Sequence, residues 1–284
     1  MTGGTGPTLP APLRALPGDL PAAVAATPLS GGDIAAVWRV TLADGATVVV
    51  KHGPTPAALE AEGLVALRAA GGEVPDVLGH ADRTLVLAHV TGDGQPADFG
   101  RMLARVHTAP ASDDATNGGF GWHRDNVIGP LPQDNTREPH WPTFVAAHRL
   151  RAHLDVLPDR PDHRAVTDRL RTAIDAGRVA DELDHAPAPA LVHGDLWSGN
   201  VLGWRWLIDP AVHRADREVD LAMLELFGHL PADFLHAYTE VAPLPDGVGR
   251  RRLLYQLVPL LVHVRLFGAG YLDGIRRRLD ELGW

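Results

Sequence analysis

The first ninety residues carry the signature of a sheet. An apolar run from Val37 to Leu42 is followed by the turn Ala43-Asp-Gly and then by the β-branched run Thr47 to Val50, which ends at Lys51. Thr27-Pro-Leu upstream reads as extended chain. Pro56 to Ala70 has Pro in its first turn, apolar residues at Leu59, Leu64 and Leu67, and acids at Glu60 and Glu62, so it predicts a helix. Beyond residue 88 helical spacing dominates, over 98–108, 141–155, 167–184, 218–229 and 248–282. Three short apolar runs interrupt it: Ala190 to Val192, Val201 to Leu202 and Trp206 to Ile208. They predict short buried strands around a polar loop at 193–200. The expected class is α+β with two lobes. A small N-lobe, residues 1–88, has an antiparallel sheet and one helix; a larger, mostly helical C-lobe spans 89–284 and opens at Thr91-Gly-Asp-Gly-Gln-Pro. Within it, 109–140 is rich in Gly, Pro and Asn, and its length predicts a functional insertion.

Composition narrows the classes. The chain has 284 residues, 45% hydrophobic and 21% charged, enough for a sizeable core. A net charge of −9 offers no basic field for nucleic acid. Met1 to Pro28 lacks the basic start and apolar core of a secretory signal. Leu253 to Phe267 is apolar but short, and Pro259, His263 and Arg265 interrupt it, so it reads as a buried C-lobe helix and not a membrane span. With no cysteine there are no disulfides, and a cytoplasmic location is expected. The 15 histidines show no paired metal-ligand spacing.

The polar loop holds the candidate chemistry. It reads His193-Gly-Asp-Leu-Trp-Ser-Gly-Asn200, and Asp209 follows in Leu-Ile-Asp-Pro. An acid, an amide five residues on and a second acid at the end of the next strand match the needs of phosphoryl transfer. Asp195 would accept the proton of an attacking hydroxyl, while Asn200 and Asp209 would give Mg2+ the hard oxygen ligands it prefers. The alternative is a loop whose Asp, Gly, Ser and Asn merely form turns. Lys51, the one lysine in the chain, stands at a strand end where it could grip ATP phosphates. Glu62 is the expected carboxylate partner of Lys51, with Glu60 as the fallback. The other reading makes Lys51 a solvated strand-end charge and the glutamates ordinary helix-start acids. Gly31, Gly32 and Asp33, between the Thr27 segment and the Val37 strand, could close backbone N–H groups over phosphates, or could form a plain hairpin turn. No Gly-x-x-x-x-Gly-Lys-Ser/Thr string exists, so a Walker-type fold is not supported.

Several strings together resemble the fructosamine kinase (ketosamine 3-kinase) family, a branch of the aminoglycoside-phosphotransferase-like, protein-kinase-like fold. They are Ser30-Gly-Gly-Asp-Ile, Glu60 to Leu64, Arg124 to Asn135, His193 to Leu202, Ile208-Asp-Pro-Ala-Val and Arg217 to Gly228. The resemblance runs over nearly the whole chain. It implies ATP-dependent phosphorylation of the C3 hydroxyl of ketosamines, which destabilises the adduct and frees the amine; whether the acceptor is small or protein-bound, and the protein a monomer or homodimer, stays open. It also implies that Leu87, Ala88, His89 and Val90 meet adenine. Asp125, Asn126, Asn135 and Trp197 would face the acceptor, and His193 and Asp220 would brace the loop.

Departures from the family pattern matter as well. Ser30 replaces the commoner first Gly, and Leu87-Ala88-His89-Val90 lacks the familiar acid. Asp209 is followed by Pro-Ala, and no Ala-Pro-Glu string closes an activation segment, which points to a small acceptor. Two alternatives stay open: a kinase of the same fold for an aminoglycoside, amino alcohol or sugar, and a nucleotide-binding module without catalysis.

Overall fold

The computed structural model describes residues 9–29, 34–110 and 119–284. Five strands form the N-lobe sheet: β1 (Ala23–Pro28), β2 (Ala36–Leu42), β3 (Thr47–His52), β4 (Val77–Ala81) and β5 (Thr84–Ala88). Their order is β1-β2-β3-β5-β4, all neighbours antiparallel. Strand pleating decides what β3 does. Val48 and Val50 are buried on one face with Leu13, Val40, Leu42 and Val86. Val49 and Lys51 alternate with them, so they point to the other face. There helix α1 (Ala57–Ala69) packs, burying Ala57, Ala61, Leu64 and Leu67.

That second face does not end at the lobe boundary. The cluster around α1 continues through Phe99, Leu103, Leu191, Leu196 and Leu207, so one apolar core spans both lobes. Phe99 and Leu103 come from α2 (Pro96–Thr108). The insertion then carries a small hairpin, β6 (Asn126–Ile128) and β7 (Leu131–Gln133). Helix α3 begins at Trp141–Phe144, relaxes into a π-helical Val145–Arg151 and closes with Ala152–Leu154. Two helices, α4 (Pro161–Asp175) and α5 (Arg178–Glu182), follow it. The expected single helix over 167–184 is thus two, parted at Gly177, whose φ is 77°.

Four short strands frame the polar loop. β8 (Ala190–Val192) pairs with β11 (His213–Ala215), and β9 (Val201–Leu202) pairs with β10 (Trp206–Leu207). Helices α6 (Glu218–Leu226), α7 (Ala232–Val241), α8 (Val248–Phe267) and α9 (Leu272–Leu282) complete the C-lobe. The helical pattern expected through 248–282 breaks at Gly268, with φ 89°, and α7 was not foreseen from its pattern. Among the described residues no helix is long and apolar enough to cross a membrane.

Candidate active site

A cleft of ≈ 250 Å³ lies between the lobes, and Lys51, Glu60, Asp195, Trp197, Asn200 and Asp209 all line it. Strand β3 delivers Lys51 to the cleft. Its ammonium lies 2.7 Å from both carboxylate oxygens of Glu60 and 2.5 Å from Asp209 Oδ1. Glu60 is therefore the partner, and the expectation of Glu62 is corrected. Two residues along an α-helix turn it by about 200°, so the two acids face opposite ways. Glu62 instead accepts Trp122 Nε1 at 2.7 Å, lies 3.2 Å from His123 Nε2 and pairs with Arg124. It ties α1 to the insertion.

The polar loop is held from behind. Asp220, at the start of α6 and 1% exposed, accepts the backbone N–H of His193 at 2.7 Å and of Gly194 at 2.9 Å. His107 Nε2 meets the same carboxylate at 3.1 Å, and His107 Nδ1 lies 2.8 Å from the Tyr238 hydroxyl. Burial pushes the Asp220 pKa up, but His107, His193 and the Gly194 N–H outweigh it and hold the acid below its usual range. His193 donates Nε2–H to the Ile208 carbonyl at 2.8 Å, which leaves Nδ1 to accept the Asp195 N–H at 3.3 Å. Its fully buried ring has a lowered pKa, because desolvation outweighs the nearby acids. The ring spans from the loop to the residue before Asp209.

Asp195 projects into the cleft at hydrogen-bond range of Asn200, whose Nδ2 donates to the Asp195 carbonyl at 2.8 Å and to Oδ2 at 3.3 Å. Burial first, and then the charge of Asp209, push the Asp195 pKa up to about 7. That is the range suited to a general base at neutral pH. With Nδ2 so committed, Oδ1 is the Asn200 atom left to ligate a cation. Asp209, in the left-handed region with φ 57°, keeps one carboxylate oxygen on Lys51. An amide oxygen and a carboxylate are hard donors that fit Mg2+. The charge balance fits too. Three carboxylates, Glu60, Asp195 and Asp209, share the cleft with two cations, Lys51 and Arg83. Burial and the charge of Asp209 push Glu60 up to about 7 despite Lys51. The Lys51 pKa is raised, because the two acids outweigh its desolvation. A dication would relieve this excess of negative charge.

Trp197 is 38% exposed and lies along the loop that holds it. A Cβ at Gly199 would fall 2.2 Å from Trp197 Cη2, so only glycine lets the indole fold down there. The other expected acceptor residues sit differently. Asn126 lines the cleft, but its Nδ2 donates to the Val212 carbonyl and its Oδ1 accepts from Gln133 and Asn135, each at 2.8 Å. Asn135, 1% exposed, gives its N–H to Asp125 and accepts from Arg149 Nη2 at 2.7 Å. Asp125 and Asn135 do not line the cleft. Hydrogen bonding accounts for this placement: the two buried amides brace the hairpin. The lining passes through Leu85 and does not include Leu87, Ala88, His89 or Val90. Leu87 is buried against α1, and the Ala88 N–H is taken by Asp76. Gly31, Gly32 and Asp33 lie outside the described residues. Sequence reasoning missed one wall altogether, the C-terminal end of α8 with Val262, His263, Leu266 and Phe267. The signal was an apolar face continuing to Phe267, at the break before Gly268.

Comparison with known proteins bears on the same residues. The fructosamine kinase family model matches residues 13–283. A probable ketoamine kinase of Synechocystis sp. is 39% identical over 191 residues, 64% of this chain and less than two thirds, 60%, of its own length. One from Thermus thermophilus is 36% identical over 268 residues, 90% of this chain and 93% of its own. A crystal structure of a candidate fructosamine-3-kinase from Thermobifida fusca superposes with a TM-score of 0.76 at 38% identity, covering 92% of this chain and 95% of that one.

Proposed function

This chain belongs to the fructosamine kinase family, and from that premise we propose that it uses ATP and Mg2+ to phosphorylate the C3 hydroxyl of ketosamines. The observation that carries the reading is the meeting of Lys51, Asp195, Asn200 and Asp209 in one cleft. Magnesium-ATP, when bound, supplies the γ-phosphoryl group and the positive charge that the acids lack. Lys51, steadied by Glu60, is placed to hold the phosphates, and Asn200 and Asp209 to hold the metal. Asp195 orients the acceptor hydroxyl and takes its proton as the C3 oxygen bonds to the γ-phosphorus and the bond to the ADP oxygen breaks. His193 and Asp220 fix the loop so that the carboxylate stays where the hydroxyl arrives. Trp197 offers an aromatic face to the sugar. The product, a ketosamine 3-phosphate, would decompose to release the amine.

The test is ATP turnover on fructosyl- and ribulosyl-amines, with the phosphate located by phosphorus NMR. Phosphorylation at C3 is the expected result. Preference by kcat/KM for an aminoglycoside or choline over every ketosamine would refute it, and so would nucleotide binding with no turnover of any acceptor.

A further inference from the structure

The last two turns of α8 give the cleft a wall unlike its others. The charged residues of the lining, Lys51, Glu60, Arg83, Asp195 and Asp209, come from the N-lobe and the catalytic segment. Val262, His263, Leu266 and Phe267 bring none, and neither do Val127, Ile128 and Gly129 of the adjoining hairpin. Arg265 is turned aside to His153 Nδ1, 2.8 Å away. His263 donates Nδ1–H to the Pro259 carbonyl at 2.7 Å, which leaves its Nε2 lone pair free to accept in the neutral ring. Desolvation lowers its pKa and favours that neutral form.

Three aromatic rings surround this imidazole: Phe227 at 4.6 Å, Tyr271 at 4.9 Å and Phe267 at 5.4 Å between centroids. Two of them are open to solvent, Phe227 at 38% and Phe267 at 50% exposure. An uncharged aromatic surface that runs into a catalytic cleft favours alkyl and aryl groups, and its ring faces attract an ammonium. It disfavours a carboxylate, which would lose water there without meeting a cation.

We propose that this aromatic wall receives the amine-borne substituent of the acceptor and selects ketosamines of alkyl and aryl amines over those of free α-amino acids. The inference rests on the ketosamine reading above and names the acceptor class within it. With the C3 hydroxyl at Asp195, the amine lies on C1, two carbons away, and its substituent leads out of the cleft. An α-amino acid would bring its carboxylate to Phe267 and His263.

The experiment measures kcat/KM of the full-length protein for the fructose adducts of benzylamine, hexylamine and glycine. Wild type should favour the first two over glycine by about tenfold or more. Phe267→Ala and Phe227→Ala should each shrink that ratio several-fold, and Phe267→Arg should raise the glycine adduct relative to benzylamine. Both positions are half exposed, so thermal melts should stay near wild type. Equal or better use of the glycine adduct by wild type, or a ratio unmoved in all three variants, would overturn the proposal. If wild type phosphorylates all three adducts equally, the wall's role alone falls; if it phosphorylates none, the ketosamine reading falls with it.

Discussion

Replacing Asp220 with Asn changes one atom and separates stability from chemistry. In the native protein each carboxylate oxygen takes one backbone N–H, from Gly194 and from His193. The amide keeps one acceptor and turns an NH2 group against the other N–H. A hydrogen bond to a charged group contributes about 1.5–3 kcal/mol, and a buried donor left without a partner costs about 1–3 kcal/mol more. We expect a loss of about 3–5 kcal/mol in urea unfolding at pH 7.5. Because these N–H groups fix the backbone leading to Asp195, kcat should also fall about a hundredfold, the scale expected for a displacement near 1 Å. Asp195→Asn is the control with the opposite sign in stability. Burial and Asp209 hold that acid at about 7, so its charge strains the fold at pH 7.5, and the amide should stabilise by about 1–3 kcal/mol while abolishing most turnover. Steady-state kinetics and urea melts on the two variants decide the matter. If Asp220→Asn melts within about 1 kcal/mol of wild type and keeps its kcat, the brace assigned to Asp220 is wrong.

Two further predictions concern charge. Glu60→Gln should impair turnover strongly by leaving Lys51 to Asp209 alone, whereas Glu62→Gln should mainly lower thermal stability by loosening the tie to Trp122, His123 and Arg124; kinetics and melts that showed the reverse would reinstate Glu62 as the partner. Between pH 6.5 and 5 opposed titrations partly cancel, with His193 and His263, also lowered by burial, adding to the loss of stability as pH falls. Burial holds His153 and His213 at about 3 in the fold, below their unfolded value, so the unfolded chain takes up more protons and each His lowers stability by about 1.4 kcal/mol per unit as pH falls below 6.5. Asp195 and Glu60, held at about 7, bind protons in the fold first and raise stability by a similar slope. The Asp195→Asn, Glu60→Gln double variant should therefore lose about 2.7 kcal/mol per pH unit more than wild type over that window, and a urea-melt profile parallel to wild type would contradict these assignments.

Sequence patterning reached the strands and most helices because their local signals agreed with their packing. Thr47 to Val50 was a strand by β-branching, and its pleat aimed Lys51. It missed α7, which follows the breaker-rich Gly228-His-Leu-Pro, and it began α4 late because Pro161-Asp-His-Arg is polar. The site residues close to one another in sequence, Asp195 and Asn200, were legible from spacing. Choosing between Glu60 and Glu62 required the rotation of α1 about its axis. That phase was present in the chain, since Glu60 is three residues from Ala57, four from Leu64 and seven from Leu67, all buried. The roles of Asn126 and Asn135 were not legible, because Val212, the partner of Asn126, lies far along the chain, and Arg149 reaches Asn135 only once α3 has packed beside the hairpin.

Helix α1 is wedged in place. A Cβ on Gly63 would stand 2.9 Å from Pro210 Cγ, and Glu62 is tied to three residues of the insertion. Its apolar face belongs to the core that both lobes share. Swinging it outward, and with it Glu60 away from Lys51, would open that core. In the proposed mechanism, the lysine and its acid would be held in register by the same packing that joins the two lobes.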